Sequence, residues 1–383
     1  MSGVEFVALL FGLAIVTLPV WMSRRAVRWL GAFWMALAVG VTLRATGVLG
    51  SSIEFAALAS ATVFALAYLS NAVALLRRVA FLVPSLVLLI YVTTLLMYKA
   101  PGNPFANERS ASPQVEAALR AQYGVPENAT EFFGIYTRRL VVEGTMGPSI
   151  KVAGRNVEDL LFPALPVSLT LGLLALTIAC ALGLGFGLRA GLAPHSWSDH
   201  ASMALALVGI SLPNFVLGAG LIVVFALQFG WFPVAGWGTV GHLWLPALTL
   251  ALPYGAYIAR LVRAGTIEAM QQDFVRTARA KGLPESEVVL RHAFRAAVAP
   301  AVAYLGPAAA GIMTGSFVVE VLFGIPGMGQ WFVKGAINRD YSVVLGTATI
   351  YFTLITLLNF GVDIAQAWLD PRVRSADRDG DFA

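Results

Sequence analysis

The sequence predicts an all-α integral membrane protein. Of its 383 residues, 58% are hydrophobic and only 12% are charged, so a soluble domain of this size would lack polar surface. The apolar residues come in runs of about 20, the length of helix that crosses the hydrocarbon core of a bilayer. Short clusters of arginine separate these runs, as is typical of loops that stay on the cytoplasmic side of a membrane.

Nine segments are long and apolar enough to span a membrane. They are 4–22, 29–49, 55–76, 79–97, 165–188, 201–229, 243–262, 301–322 and 343–369. Several contain prolines, among them Pro84, Pro213 and Pro253, which membrane helices tolerate better than soluble helices do. Between the fourth and fifth segments lies a long polar stretch, 99–161, which we expect to form a small ordered domain.

Basic residues orient the nine predicted helices. Arginines follow the first, third, fifth, seventh and ninth segments, so alternate crossing places all of them on one side. The positive-inside rule makes that side cytoplasmic. The N-terminus and 99–161 are then expected outside, and 264–300 and the C-terminus inside. A short polar tail, 375–383, ends the chain.

The most basic short stretch is 273–300, with the sequence DFVRTARAKGLPESEVVLRHAFRAAVAP. It predicts two helices joined by a tight turn. Gly282 suits the left-handed position that ends a helix, and Pro284 prevents the first helix from continuing. We expect the second helix to begin near Pro284 and the next membrane span to begin at Pro300.

Three interpretations of this stretch are open from the residues alone. It could be a solvated loop that only sets topology, a helix-turn-helix that binds DNA, or a surface that docks a cytoplasmic protein. Ala278, Ala280 and Gly282 favour docking, because small residues let another surface approach the backbone closely. Both ends run directly into predicted spans, which argues against nucleic acid as a partner.

At this point the residues resemble a known family. The segment VRTARAKGL, followed by RHAFRAAVAP, resembles the cytoplasmic EAA loop of ABC importer permeases, and in particular the peptide/nickel-type branch. Arg276 stands where the general motif has glutamate, as is usual in that branch. Further similar segments follow in order: RRVAFLVPSLVLLIYVTTLLMYKAPGNP (77–104), SLPNF (211–215), LPALTLALPYGAYIARLVRA (245–264), VVEVLFGIPGMGQ (318–330) and LDPRVR (369–374).

The resemblance implies a six-helix ABC importer permease core over 77–374. It implies an external insertion at 99–161 and a cytoplasmic coupling loop at 264–300. Residues 1–76, about three additional transmembrane helices, precede this core, and the resemblance says nothing about their role.

The resemblance also implies a function. The chain would be a multi-pass subunit of an importer in the prokaryotic plasma (inner) membrane. The expected substrates are oligo- or dipeptides; nickel chelates, glutathione and some sugars stay open as alternatives. It would form the translocation path with a second homologous permease. Two cytoplasmic ATPase subunits would bind ATP and Mg, and an external solute-binding protein would deliver substrate.

The resemblance assigns two groups of site residues. Those expected to couple to the ATPases are Arg276, Thr277, Ala278, Arg279, Ala280, Lys281, Gly282 and Leu283. A second group is expected at the translocation path or its entrance: Pro213, Asn214, Pro326, Gly327 and Gly329. Asn214 could equally satisfy backbone groups freed by a kink at Pro213. The last three lie in FGIPGMG (323–329), which could equally be an ordinary Gly/Pro turn and which the resemblance places on the outer side.

The residues give no sign of catalysis in this chain. A Walker A motif needs a Gly-Lys pair, and the sequence has none. The four histidines are dispersed and form no ligand pattern with the single cysteine, Cys180, so we expect neither a metal nor a cofactor. The alternatives are an ATP-independent secondary transporter or channel, which would need a functional acid within its spans, and a membrane sensor that uses the additional helices.

Overall fold

The computed structural model of the chain describes residues 72–105 and 113–369, which are helical over most of their length. Most of the predicted segment 1–76 and the tail 375–383 lie outside the described residues. Within the described ranges, the only β-type contact is an isolated antiparallel bridge between Pro148 and Asn156. The predicted all-α class is therefore confirmed for the part of the chain that the structure describes.

The helices are α1 Ala72–Lys99, α2 Pro113–Tyr123, α3 Ala129–Arg138, α4 Val157–Leu192, α5 Trp197–Ser211, α6 Asn214–Leu221, α7 Gly241–Met270, α8 Asp273–Ala280, α9 Glu285–Glu287, α10 Phe294–Leu322, α11 Met328–Asn338 and α12 Tyr341–Leu369. Turns of π-helix follow α3, α6 and α9, at Arg139–Glu143, Ile222–Gln228 and Val288–Ala293.

Among the described residues, five helical elements are long and apolar enough to cross a membrane, and a sixth exists if α5 and α6 form one broken span. The predicted segment 201–229 consists of two helices that meet at a bend of 112°. Leu212 is extended at the break. Pro213 explains this conformation, because its ring disfavours the helical conformation of the residue before it.

The α4–α7 contact forms the centre of the bundle, and α7 also contacts α10. Three glycines of α4, four residues apart, lie against α7: Gly183, Gly187 and Gly191. A Cβ on Gly187 would stand 2.7 Å from the carbonyl oxygen of Ala259, and one on Gly191 would stand 2.9 Å from that of Arg263. Small residues at this spacing let two membrane helices approach closely. They therefore set the distance between α4 and α7.

Helices α2 and α3 form a small unit that packs on α1 and α12. Phe132 and Tyr136 of α3 are buried together with Ile90 of α1 and Tyr341 of α12. Burial raises the pKa of Tyr136, so its hydroxyl stays neutral. The described part of the stretch 99–161 is thus ordered, while its position outside the membrane stays a prediction.

Asp340, buried directly before α12, fastens this region to the bundle. Its Oδ2 accepts hydrogen bonds from the Ser149 hydroxyl at 2.5 Å and from the backbone N–H of Lys151 at 3.1 Å. Its Oδ1 accepts from the backbone N–H of Val343 at 3.3 Å. The same carboxylate therefore caps the first turn of α12 and holds the loop before α4.

Candidate functional site

The predicted pair of helices in 273–300 is present between α7 and α10. Helix α8 ends at Ala280, and Gly282 has a φ of +74°, the left-handed conformation that glycine adopts most easily. No atom lies within 4 Å of the place that a Cβ on Gly282 would take, so backbone conformation rather than space favours glycine here. Pro284 is the N-cap of α9. The predicted turn is confirmed.

The prediction that Pro300 begins the next span is wrong. Helix α9, the π-helical turn and α10 follow one another without a break, so one helical element extends over Glu285–Leu322. Membrane helices tolerate an internal proline because neighbouring groups satisfy the carbonyl that it leaves unpaired. Ala297 and Ala301 are buried on either side of Pro300, and this packing supports the helix through the proline.

One face of α8 is buried against the bundle. Val275 and Ala278 pack in a cluster with Val288 and Ala297, and Ala278 is only 3% exposed. Ala278, which we expected at the coupling site together with Gly282, therefore does not lie on the exposed face. The small side chain at 278 instead lets α8 lie close to the helical element that follows it.

The opposite face of this segment is exposed. The exposed residues of the predicted coupling site are Arg276, Thr277, Arg279, Ala280, Lys281 and Gly282, while Leu283 is half-buried. Two large apolar side chains accompany them: Phe274 is 44% exposed and Leu290 is 47% exposed. We call these eight exposed residues the coupling surface. Exposed apolar side chains beside arginines are typical of a surface that another protein covers.

Ion pairs neutralise part of the positive charge of the coupling surface. Arg279 donates two hydrogen bonds to the Glu285 carboxylate, at 2.6 and 3.1 Å, and this pair raises the pKa of the Arg279 guanidinium. Arg276 pairs with Asp273 at 3.3 Å. Lys281 has no ion pair among the described residues. Exposed pairs contribute little stability, so their main effect is to fix the turn and leave Lys281 as an available cation.

A cavity of about 520 Å³ opens beside this turn. Its wall includes Leu192 from the end of α4, Pro194 from the loop after it, Met270 from the end of α7, and the Arg279–Glu285 pair. The cavity therefore joins the coupling surface to the loop between α4 and α5, which sequence reasoning did not include in the site.

The residues predicted at the translocation path occupy two places along α10. Pro213 is exposed at the break between α5 and α6, and Asn214 lies against α10, where a Cβ on Gly315 would stand 3.2 Å from its side-chain nitrogen. The other three predicted residues lie at the junction of α10 and α11: Pro326 and Gly327 precede α11, and Gly329 is in its first turn. There Pro326 is exposed, while Gly327 and Gly329 are buried.

Sequence reasoning missed Glu320, although an acid within a predicted span is a functional candidate by default. Glu320 is fully buried near the end of α10. Its Oε2 accepts a hydrogen bond from the backbone N–H of Gly329 at 2.7 Å. The signal was visible in the sequence, since Glu320 is an acid inside the apolar run 301–322.

Sequence reasoning also missed a buried ion pair between α5 and α7. Asp199 is 2% exposed and accepts two hydrogen bonds from Arg263, at 2.5 and 2.7 Å. It also accepts from the backbone N–H of His195 at 2.9 Å. The pair joins residues 64 positions apart, so no local pattern predicts it.

The chain forms a bundle of membrane-spanning helices, with a pair of short helices between α7 and α10. This architecture is that of a multi-pass helical membrane permease. Residues 183–375 match the family model described as "Binding-protein-dependent transport system inner membrane component", and the chain belongs to this family. The resemblance to ABC importer permeases is thereby confirmed. The alternatives of a secondary transporter, a channel or a sensor are not favoured.

Relatives with assigned roles extend the match. The chain is 42% identical over 300 residues to the oligopeptide transport system permease protein OppB of Haemophilus influenzae, with 78% of this chain and 98% of that protein covered. It is 40% identical over 302 residues to OppB of Escherichia coli, with the same coverage. It is 39% identical over 300 residues to the dipeptide transport system permease protein DppB of Bacillus subtilis, covering 78% and 97%.

A solved structure also aligns with the chain. The structure is that of an amino acid ABC transporter with histidines. The two chains are 20% identical, the alignment covers 54% of this chain and 93% of the other, and the TM-score is 0.44.

Proposed function

We propose that this chain is one of two related permease subunits of an ATP-driven importer of oligopeptides or dipeptides. The family and the assigned roles of the relatives support this proposal. In this proposal an external solute-binding protein delivers the substrate, and two cytoplasmic ATPases bind ATP and Mg. The chain itself performs no covalent chemistry and supplies half of the translocation path.

The observation that carries this proposal is the two-sided arrangement of α8. One face is buried against the bundle through Val275 and Ala278, and the other presents the coupling surface. Phe274 supplies exposed apolar area that a docked protein would remove from water, and Lys281 supplies a cation that forms no ion pair with any described residue. A docked ATPase would therefore hold α8 from outside while the bundle holds it from inside.

The same arrangement suggests how ATPase movement reaches the membrane. The buried cluster joins α8 to the start of the helical element Glu285–Leu322, which crosses the whole bundle. When nucleotide closes the ATPases, α8 moves with them. Because the small side chains of the cluster pack closely, the displacement passes to α7 and α10 instead of being absorbed locally. The helices then change the side to which the path opens.

The proposal includes an orientation and a domain organisation. The N-terminus and 99–161 lie outside, and 264–300 and the C-terminus lie inside, as the arginine pattern predicts. Residues 1–76 form about three additional membrane helices that serve assembly or lateral contact, since the family-like core over 77–374 does not include them. The tail 375–383 is cytoplasmic.

Two variants of the coupling surface test the proposal. Phe274→Ala removes exposed apolar area, and Lys281→Glu reverses an exposed charge. If both side chains contact the ATPase, each variant should weaken docking by about 1–2 kcal/mol, roughly ten- to thirtyfold in affinity. Phe229→Ala and Lys334→Glu are matched controls, because these exposed side chains lie in regions that the proposed orientation places outside.

The measurement is co-purification of the ATPase subunits, together with peptide-stimulated ATP hydrolysis in reconstituted complexes. Membrane insertion of each variant is checked separately. Both coupling-surface variants should lose ATPase and stimulated hydrolysis, while the controls keep both. If the two variants assemble and hydrolyse ATP like the wild type, α8 is not the docking site.

A further inference from the structure

The carboxylate of Glu320 is buried within a membrane-spanning element, and it forms no ion pair among the described residues. Burying a carboxyl group in a membrane-spanning helix is costly, so its presence there needs a physical reason. One of its oxygens, Oε2, has a clear role, since it accepts from the backbone N–H of Gly329 at 2.7 Å. The other, Oε1, has no hydrogen-bond partner among the described residues.

Glu320 and Ser168 together hold the beginning of α11. The Ser168 hydroxyl accepts a hydrogen bond from the backbone N–H of Met328 at 2.8 Å, one residue before the Gly329 N–H that Glu320 binds. Backbone N–H groups in the first turn of a helix have no acceptor within that helix, and this end favours negative charge. Side chains from α4 and α10 therefore supply the acceptors that α11 lacks.

The contact of Ser168 and Glu320 with the start of α11, which we call the anchor, leaves no room for a side chain at Gly327 or Gly329. A Cβ on Gly327 would stand 2.7 Å from Ser168 Oγ, and one on Gly329 would stand 2.7 Å from Glu320 Oε2 and 2.6 Å from the Cα of Phe317. A side chain at either position would push the turn away from α10. The close approach thus depends on glycine at both positions.

The anchor lies at the far end of the element that begins at the coupling surface. Glu285 is paired with Arg279 at one end, and Glu320 binds α11 near the other. At about 1.5 Å per residue, a straight helix of this length would span roughly 50 Å, enough to cross a bilayer. One continuous element therefore contacts both the proposed ATPase side and the turn at the opposite end.

We propose that Glu320 is a positioning residue that makes the outer turn, residues 323–329, and α11 move with α10 during transport. This inference rests on the proposed function. When α10 is displaced from its cytoplasmic end, the carboxylate carries the N-terminus of α11 with it. Without the carboxylate, α10 moves and the turn does not follow, so ATP hydrolysis continues while import fails.

A small polar cluster surrounds the Glu320 carboxyl group. The serines Ser168 and Ser316 neighbour both Glu320 and Tyr351. Ser168 belongs to α4 and Tyr351 to α12, so side chains of three membrane-spanning helices meet beside the start of α11.

Three substitutions test the proposal in the assembled transporter. Glu320→Ala removes both oxygens, Glu320→Gln keeps one acceptor for the Gly329 N–H, and Ser168→Ala removes the second anchor. Thr177→Ala is the control on α4, because the exposed Thr177 hydroxyl bonds only within its own helix, to the carbonyl oxygen of Leu173.

The first measurement is the amount of peptide imported per ATP hydrolysed in proteoliposomes. Glu320→Ala and Ser168→Ala should lower this ratio by about tenfold, the scale expected for losing one strong hydrogen bond. Glu320→Gln should restore most of the ratio, and Thr177→Ala should not change it. A residue that only stabilises the fold would lower import and hydrolysis together.

The second measurement needs neither peptide nor ATP. A thiol is introduced by Ile325→Cys in a Cys180→Ser background, and its labelling rate from outside is followed. Ile325 is buried in the outer turn, so labelling should be slow with Glu320 present and about tenfold faster in the Glu320→Ala variant, since the lost hydrogen bond frees the turn.

The outcomes separate this inference from the proposed function. If the wild-type complex imports no peptide, the proposed function fails, and the labelling rates still decide whether Glu320 holds the turn. If Glu320→Ala does not assemble, Ser168→Ala supplies the ratio. If Ser168→Ala keeps the wild-type ratio and the wild-type labelling rate, the anchor does not couple α10 to the outer turn.

Discussion

Replacing Gly187 by alanine tests whether the α4–α7 contact limits the stability of the bundle. The added Cβ would stand 2.7 Å from the carbonyl oxygen of Ala259 and 2.7 Å from the Cβ of Val262. Carbon ordinarily approaches a carbonyl oxygen to about 3.3–3.6 Å, so the two helices must separate by roughly 0.7 Å. A gap of about 0.5–1 Å already removes a quarter to a half of the attraction between facing atoms. We expect a loss of about 1–3 kcal/mol.

Gly185→Ala provides the matched control on the same helix. No atom lies within 4 Å of the place that a Cβ on Gly185 would take. Both variants gain the same helix propensity over glycine, about 1 kcal/mol in soluble helices. The difference between them therefore isolates the effect of separating α4 from α7.

The assay is the apparent melting temperature of the purified protein in detergent, followed by size-exclusion chromatography after heating. Gly187→Ala should melt a few degrees below Gly185→Ala, and Gly187→Val should melt lower still because its side chain is larger. Equal melting temperatures for Gly187→Ala and Gly185→Ala would refute the reasoning, because the glycine at 187 would then not set the helix distance.

Three further predictions concern single positions. Asp199→Ala should destabilise the protein by about 1–3 kcal/mol in thermal unfolding, because it leaves the half-buried Arg263 without its partner; adding Arg263→Ala should recover part of this loss, and no recovery would contradict a direct pairing. Gly282→Ala should cost about 1 kcal/mol through its positive φ alone, and Gly282→Asn, which tolerates that conformation, should cost less in the same assay. A thiol from Ser2→Cys in a Cys180→Ser background should react with an impermeant reagent in intact cells; reaction only after permeabilisation would contradict an external N-terminus.

Local sequence determined most of the helices that the structure describes and the tight turn between α8 and α9. Five of the six apolar runs after residue 77 correspond to helices long enough to cross a membrane, since a run of about 20 apolar residues has few other stable environments. Gly282 and Pro284 placed the tight turn correctly, because the conformations these two residues favour depend on their own backbone chemistry. The family could also be identified from the ordered motifs.

The sequence did not predict which prolines interrupt a helix and which lie inside a continuous one. Pro213 breaks its span, whereas Pro300 lies inside a continuous helix, and the two sequences give no reason for the difference. The packing around each proline decides the outcome. Pro300 is flanked by the buried alanines Ala297 and Ala301, while Pro213 and Leu212 are exposed. Neighbouring helices can therefore support the backbone at Pro300 but not at Pro213.

Tertiary structure alone decided which groups meet. Ala278 could equally have faced a partner or the bundle, and only the position of α8 against Val288 and Ala297 places it inward. Glu320 was visible as an acid in an apolar run, but its role depends on the N-terminus of α11 lying beside it. Spacing along the sequence determines which side chains share a face of one helix. It does not determine which other helix that face meets, because the contact is set by packing between segments far apart in the chain.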